Sequence, residues 1–180
     1  RYRSITKGFN GNYYVTVMNG GEKGDGEVVE ISEDGVRVFA TGFDQPKGIV
    51  FLKGHLYLSD VTKVYKVNED GNASVFIDKK DFPREVLYLN DVGVDAEGKG
   101  IYVVDMGATK NMRDKNNDLW PLDSEQAKMI PNTGRVYHIN LNGGVSIAQN
   151  ASPLLPNPNG VGIDNNGKMM IGDFFTGNFL

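Results

Sequence analysis

Three stretches of the sequence repeat one pattern, and this pattern decides the fold. Residues 46–60 read PKGIVFLKGHLYLSD, residues 89–105 read LNDVGVDAEGKGIYVVD, and residues 158–173 read PNGVGIDNNGKMMIGD. In each stretch, two short runs with alternating apolar residues flank a glycine turn, and the second run ends in aspartate. A weaker copy lies between Arg3 and Val17. The pattern predicts one antiparallel pair of strands in every copy.

A second pair of strands follows each of the first three copies. The turns between these strands read Glu33-Asp34-Gly35, Glu69-Asp70-Gly71 and Asn142-Gly143-Gly144. Asp-Gly and Asn-Gly turns are typical of hairpins, because such turns need positive φ. Each repeat therefore predicts four short strands in about 43 residues, which is the spacing of a β-propeller blade. A β-sandwich is the alternative that the turn spacing leaves open.

We therefore expect an all-β fold, a β-propeller of the six-bladed type with four-stranded antiparallel blades, incomplete in this chain. The expected blades cover about residues 3–45, 46–88 and 89–157, with a partial blade at 158–180. Residues 106–131 are expected to form an insertion loop in the third blade. Because a propeller closes only at about four to eight blades, we expect the chain to be a fragment of a six-bladed ring of roughly 300 residues. If the ring is instead left open, its uncovered edges predict self-association.

Composition excludes several classes of function. The 180 residues carry 19 Lys and Arg against 23 Asp and Glu, and this net charge of -4 argues against a nucleic-acid partner. Cysteine is absent, so disulfides, zinc–thiolate sites and a cysteine nucleophile are excluded. No apolar run approaches the roughly 18 residues of a membrane span, so no membrane partner is expected. The histidines, His55 and His138, are predicted away from the channel mouth, which makes a Ser-His-Asp triad unexpected.

Blade topology places four residues around the mouth of the central channel, because each lies directly at the start of an innermost strand. These residues are Arg3, Lys47, Asn90 and Asn159. The insertion and its Trp120 are expected on the same face. Asn90, Asn159 and the neighbouring Asp91 offer hard oxygen donors that suit Ca²⁺ or Mg²⁺. The alternative is that these side chains cap the loops by bonding backbone groups.

Two further sets of side chains have structural interpretations. Asp60, Asp105 and Asp173 recur at one position of the blade, which predicts an architectural role as acceptors of backbone N–H bonds between blades. Arg3 and Lys47 can hold or steer an acidic or hydroxylated substrate, or they can be solvated charges. For Lys47 we favour the solvated charge at the rim.

The segments Asn90-Asp91-Val92 and Pro158-Asn159-Gly160, each followed by a glycine turn and a strand ending in aspartate, resemble the SMP-30/gluconolactonase family. The resemblance covers most of residues 3–180. It implies a six-bladed propeller whose characterised members hydrolyse sugar lactones or related esters with one divalent cation on the axis. Propellers of the NHL and strictosidine-synthase-like types share the general pattern.

The resemblance also implies roles for individual residues. Asn159 falls where the family has a metal ligand, and Asn90 falls where an asparagine contacts substrate or a metal-bound water. Ca²⁺ is the expected cation, with Mg²⁺ or Zn²⁺ as alternatives. The family's glutamate ligand falls at or near Arg3, which departs from the pattern, and its general base is expected beyond Leu180. The resulting assignment has Asn159 and Asn90 as metal residues, and the predicted substrate-binding residues are Asn90, Asp91, Lys47 and Trp120.

Two functions remain open from the sequence. The first is a metal-dependent hydrolase resembling sugar-lactone lactonases, which opens a lactone or ester in the axial pocket. The second is a non-catalytic β-propeller of the NHL type that binds a ligand or a protein. The two asparagines favour the hydrolase, whereas Arg3 and Lys47 favour the binding propeller because a metal shell requires anions. A small sugar lactone or ester is the expected partner.

Overall fold

The computed structural model describes residues 2–180, and across these residues fourteen strands form four antiparallel sheets. The first sheet contains β1 (Tyr2–Lys7), β2 (Tyr13–Val17), β3 (Gly26–Ser32) and β4 (Gly35–Phe43). The second contains β5 (Pro46–Leu52), β6 (His55–Asp60), β7 (Lys63–Val67) and β8 (Ala73–Ile77). The third contains β9 (Leu89–Val94), β10 (Gly100–Asp105), β11 (Arg135–Asn140) and β12 (Val145–Gln149). The fourth contains β13 (Pro158–Ile163) and β14 (Met169–Asp173).

Strand order within each sheet follows the chain, so every sheet is a meander. The predicted hairpin turns form, with positive φ at Gly35, Gly71 and Gly143. Glycine adopts this region without the steric cost that a Cβ would bring. The all-β propeller fold with four-stranded antiparallel blades is confirmed, and the β-sandwich alternative is excluded.

Helical structure is limited to short pieces. Three 3₁₀ turns cover Phe9–Gly11, Lys79–Asp81 and Thr109–Met112. The insertion also contains α1 (Glu125–Lys128), whose first turn is capped by the Ser124 hydroxyl accepting from Ala127 N–H at 3.1 Å. None of the helices in residues 2–180 has the length and apolar character needed to cross a membrane.

The innermost strands of successive sheets lie side by side around the axis. β1 packs against β5, β5 against β9, and β9 against β13. At Gly48 a side chain is impossible without movement, because an added Cβ would lie 2.4 Å from the Val92 nitrogen. Glycine therefore lets β5 and β9 approach closely near the mouth of the channel.

Buried hydroxyl groups tie two of the innermost strands, β5 and β9, to the blade before each of them. Thr16 Oγ1 on β2 donates to the carbonyl oxygen of Lys47 at 2.5 Å. Ser59 Oγ on β6 donates in the same way to the carbonyl of Asn90 and also accepts from Gly48 N–H at 3.1 Å. These bonds fix the backbone of two residues that the sequence places at the channel mouth.

The apolar core lies between neighbouring sheets, as expected for blades packed face to face. The largest cluster joins the second and third sheets and contains Leu52, Tyr57, Val64, Ile77, Phe82, Val86, Leu89, Val92, Ile101, Val103, Tyr137 and Ile139. A second cluster joins the first and second sheets around Tyr14, Phe43 and Leu58. A third, smaller cluster joins the third and fourth sheets around Val104, Leu155 and Ile171.

The remaining face of the first sheet carries a row of apolar side chains. Its cross-strand register aligns Ile5, Val15, Val29 and Val38 in one row. Val15 and Val29 are buried by their neighbours, whereas Ile5 and Val38 remain 58% and 52% exposed. This row lies on the side of the sheet that faces away from the second sheet, because the alternate residue Tyr14 packs in the cluster between the two sheets.

The recurring aspartates have the predicted architectural role. Asp60 accepts from the backbone N–H groups of Asp44 at 2.8 Å and Gln45 at 2.5 Å. Asp105 accepts in the same way from Leu87 and Tyr88, at 3.2 and 2.9 Å. Asp173 repeats the contact with the backbone N–H of Asn157 at 2.7 Å. Each carboxylate therefore holds the segment that leads from the preceding blade to an innermost strand.

Candidate functional site

A cavity of about 860 Å³ lies at the mouth of the channel. Arg3, Lys47, Asn90 and Asn159, which begin the four innermost strands, all line it, as the topology predicts. The insertion supplies much of the remaining wall, from Gly107 to Asp114 and at Asn117. The fold therefore brings side chains distant in the sequence to one polar cavity bounded by a long loop.

The side-chain amides of Asn90 and Asn159 both contact one sulfur atom. Asn90 Nδ2 donates to the sulfur of Met106 at 2.7 Å, and Asn159 Nδ2 approaches the same sulfur at 3.3 Å. Met106 is buried and follows β10 directly. The residues predicted to share a metal are thus close together, with a thioether between their amides.

Packing beneath the cavity anchors the insertion. Met106, Met112 and Ile130 form a small buried cluster, against which Tyr88 and Phe175 pack. Because Met112 lies in the insertion and Met106 contacts both asparagines, the position of the loop is coupled to the position of the amides.

Lys47 is buried, and the interpretation as a solvated rim charge is therefore wrong. Its side chain lies in the wall of the cavity, only 2% of the residue is exposed, and its Nζ has no hydrogen-bond partner within residues 2–180. The Nζ lies 3.6 Å from the centre of the Tyr88 ring. Burial, and after it the charge of Arg3, lower the pKa of Lys47 to about 8, against the opposing influence of Asp60.

Tyr88 is held in place beneath the amine. Its hydroxyl donates to Gln45 Oε1 at 2.9 Å, and its backbone N–H is bound by Asp105. Burial raises the pKa of the Tyr88 hydroxyl, so this group stays protonated near neutral pH. The ring therefore presents its π face to the Lys47 amine as a fixed, uncharged surface.

Two of the predicted substrate-binding residues lie outside the cavity wall. Asp91 turns to the next blade, where its carboxylate accepts from Val161 N–H at 3.0 Å, and burial raises its pKa. Trp120 is half-buried within the insertion, with its backbone N–H bonded to the Met112 carbonyl at 3.0 Å. Asn90 and Lys47, in contrast, both line the cavity.

Met106 and Tyr88 are site residues that sequence reasoning missed. A weak signal exists for both, since Met106 follows the recurring aspartate Asp105 and Tyr88 comes shortly before the rim residue Asn90. Neither histidine lines the cavity, as predicted. His138 instead contacts Asp95, with its Nε2 2.8 Å from Asp95 Oδ2.

Positive charge dominates the wall of the cavity. Its cationic side chains are Arg3, Lys47, Lys110 and Arg113, whereas Asp114 is the one acidic side chain among the described lining residues. One Asp114 oxygen accepts backbone N–H bonds from Asn116 and Asp118 at 2.8 and 2.9 Å, which engages this carboxylate in its own turn. The field in the cavity therefore favours anions.

These residues do not fit the predicted divalent cation. Ca²⁺ and Mg²⁺ take several oxygen ligands, with carboxylates prominent among them. Within residues 2–180, no group of three or more His, Asp or Glu side chains is arranged to hold a metal ion. The two amides here donate their N–H groups to a sulfur, and the buried Lys47 and the exposed Arg3 line the same cavity, where they would repel a cation.

Solved structures with a similar fold are β-propeller proteins. A nidogen/laminin complex matches with a TM-score of 0.68 at 14% identity, covering 96% of this chain and 56% of that chain. A gluconolactonase from Xanthomonas campestris matches with a TM-score of 0.67 at 17% identity, covering 96% and 54%. Regucalcin from Agrobacterium tumefaciens, a calcium-binding protein, matches with a TM-score of 0.61 at 17% identity, covering 96% and 52%.

The chain thus spans about half the length of these structures. No protein-family model matches the sequence, and no curated protein matches it. At these identities the likeness shows the fold alone. The fold and the site together define a partial β-propeller with a polar cavity at the mouth of its channel.

Proposed function

We propose that the mouth cavity binds a small, hydroxyl-bearing organic molecule the size of a sugar. The observation that carries this proposal is the convergence of Asn90 and Asn159 on one point of the cavity wall. Primary amides donate and accept hydrogen bonds, so a pair of them suits neighbouring hydroxyl groups of one ligand. The cavity volume of about 860 Å³ lies within the range of small-molecule sites.

Calorimetric titration of the protein with D-glucitol tests this proposal. We expect saturable binding that weakens about tenfold in Asn90→Ala and Asn159→Ala, because each loses a hydrogen-bonding amide at the site. Asn165→Ala is the matched control, since Asn165 is exposed in the turn between β13 and β14. Absence of binding, or equal weakening in the control variant, would contradict a polyol site at the mouth.

A metal-dependent hydrolase that opens a sugar lactone is the second candidate. The proximity of Asn90 and Asn159, the two predicted metal residues, favours it, whereas Lys47 and Arg3 oppose it. Similar folds include a gluconolactonase, but that activity belongs to the other protein. Titration with Ca²⁺ distinguishes the candidates: one tight site that is lost in Asn159→Ala, with lactone hydrolysis abolished by a chelator, would favour the hydrolase.

A further inference from the structure

We propose that the mouth cavity contains a subsite for the carboxylate of a small organic acid, formed by the Lys47 amine with Arg3 at the same rim. The inference rests on the proposed function, because it specifies the charge of the molecule that the cavity takes. It assigns an anion, in place of a divalent cation, as the charged species held at the axis.

The Lys47 amine is buried, and no group within residues 2–180 pairs with it. A buried ammonium normally has an ion-pair or hydrogen-bond partner, because desolvation of an unpaired charge is costly. Lys47 Nζ has neither within residues 2–180, although only 2% of the residue is exposed. The nearest acidic influence, Asp60, uses both oxygens to accept backbone N–H groups of Asp44 and Gln45. The amine therefore retains donor capacity that no protein group within residues 2–180 takes up, in a residue that lines the cavity.

The aromatic ring of Tyr88 lies against the Lys47 amine. Its ring lies 3.6 Å from Nζ and covers one side of the amine. A cation over an aromatic face is favourable, but the ring accepts from only one direction. The contact therefore orients Lys47 without pairing its charge, as in a preorganised anion site.

The cavity wall that includes Lys47 carries mostly positive charge. Arg3, Lys110 and Arg113 line the same cavity, while the one acidic side chain, Asp114, is engaged in its own turn. A carboxylate at Lys47 would face cations from β1 and from the insertion. Asn90 and Asn159 would then bind hydroxyl groups on the adjacent carbon atoms, which makes a polyhydroxy acid the chemical class that fits both features.

The experiment compares two ligands that differ at one carbon, D-gluconate and D-glucitol, by calorimetric titration at pH 7. We expect gluconate to bind the protein at least about tenfold more tightly than glucitol, as for a charge-assisted pair. In Lys47→Met the affinities for gluconate and glucitol should agree within about twofold, and the affinity for glucitol should be retained. In Lys168→Met, which changes an exposed cation in the turn between β13 and β14, away from the cavity wall, the preference should persist.

Each result has a definite meaning. Equal affinities in the unchanged protein, or a preference that survives in Lys47→Met, would overturn the carboxylate subsite while leaving the polyol site intact. Absence of binding by both ligands would overturn the proposed function and the subsite together. Lys47→Gln is the second variant, since it keeps a polar terminus if methionine disturbs folding, and the same loss of preference is expected.

Discussion

Replacement of Lys47 by methionine should make the protein more stable. The amine is buried without a hydrogen-bond partner, and its pKa falls from 10.5 to about 8. One pKa unit corresponds to about 1.4 kcal/mol, so near neutral pH the folded state bears a cost of about 3 kcal/mol for the protonated amine. Methionine keeps an unbranched apolar stem beside the Tyr88 ring and removes the charge.

The stability gained in Lys47→Met should decrease as the pH rises. Below about pH 8 the amine is protonated in both folded and unfolded states, so the full cost is present. Between about 8 and 10.5 the unfolded state holds more protons than the folded state, and stability therefore rises with pH. The advantage of Lys47→Met should accordingly be about 3 kcal/mol at pH 7 and should decline toward zero above pH 10.5.

Urea denaturation followed by far-UV circular dichroism, at pH 7 and at intervals up to pH 10.5, measures this advantage. Lys110→Met serves as control and should change the free energy of unfolding by less than about 0.5 kcal/mol, as expected for an exposed residue. A less stable Lys47→Met protein at pH 7, or an advantage that stays constant across this pH range, would refute the reasoning.

Three further predictions concern the scaffold. Thr16→Val should lower the free energy of unfolding by about 1–2 kcal/mol in urea titrations, because the Lys47 carbonyl loses a buried donor; an unchanged midpoint would argue against that bond. Asp105→Asn should cost about 2–3 kcal/mol by the same assay, since its carboxylate accepts backbone N–H groups of Leu87 and Tyr88; full stability of the variant would remove its architectural role. The predicted self-association would use the apolar row of the first sheet, so light scattering should show oligomers that Val38→Lys dissociates, and a monomer before substitution contradicts it.

The sequence was sufficient to predict the fold and the rim of the channel. Period-two alternation and Asp-Gly or Asn-Gly turns fix strand register locally, and repetition fixes which residue begins each innermost strand. Asn90 and Asn159 could therefore be placed at one mouth although 69 positions separate their numbers in the chain. Local pattern was enough because the blade itself is a local unit.

The burial of Lys47 and the role of Met106 could not be predicted in the same way. Whether a rim lysine is solvated depends on what covers it, and here the Tyr88 ring lies against the amine. The path of the insertion depends on packing of Met112 and Ile130 against Met106, which no periodic pattern encodes. Long loops take their conformation from tertiary contacts, so their contribution to a site is the least predictable part.

The hydroxyl bonds from Thr16 and Ser59 have a consequence for how such a protein can diversify. The two hydroxyls donate to the main-chain carbonyl oxygens of Lys47 and Asn90, and these atoms are the same whatever side chain the residue carries. Substitution of Lys47 or Asn90 thus leaves these hydrogen bonds in place and changes only the side chain at the mouth of the channel. New binding specificity can therefore be selected through the side chains at the mouth of the channel, without any change in the backbone that supports them.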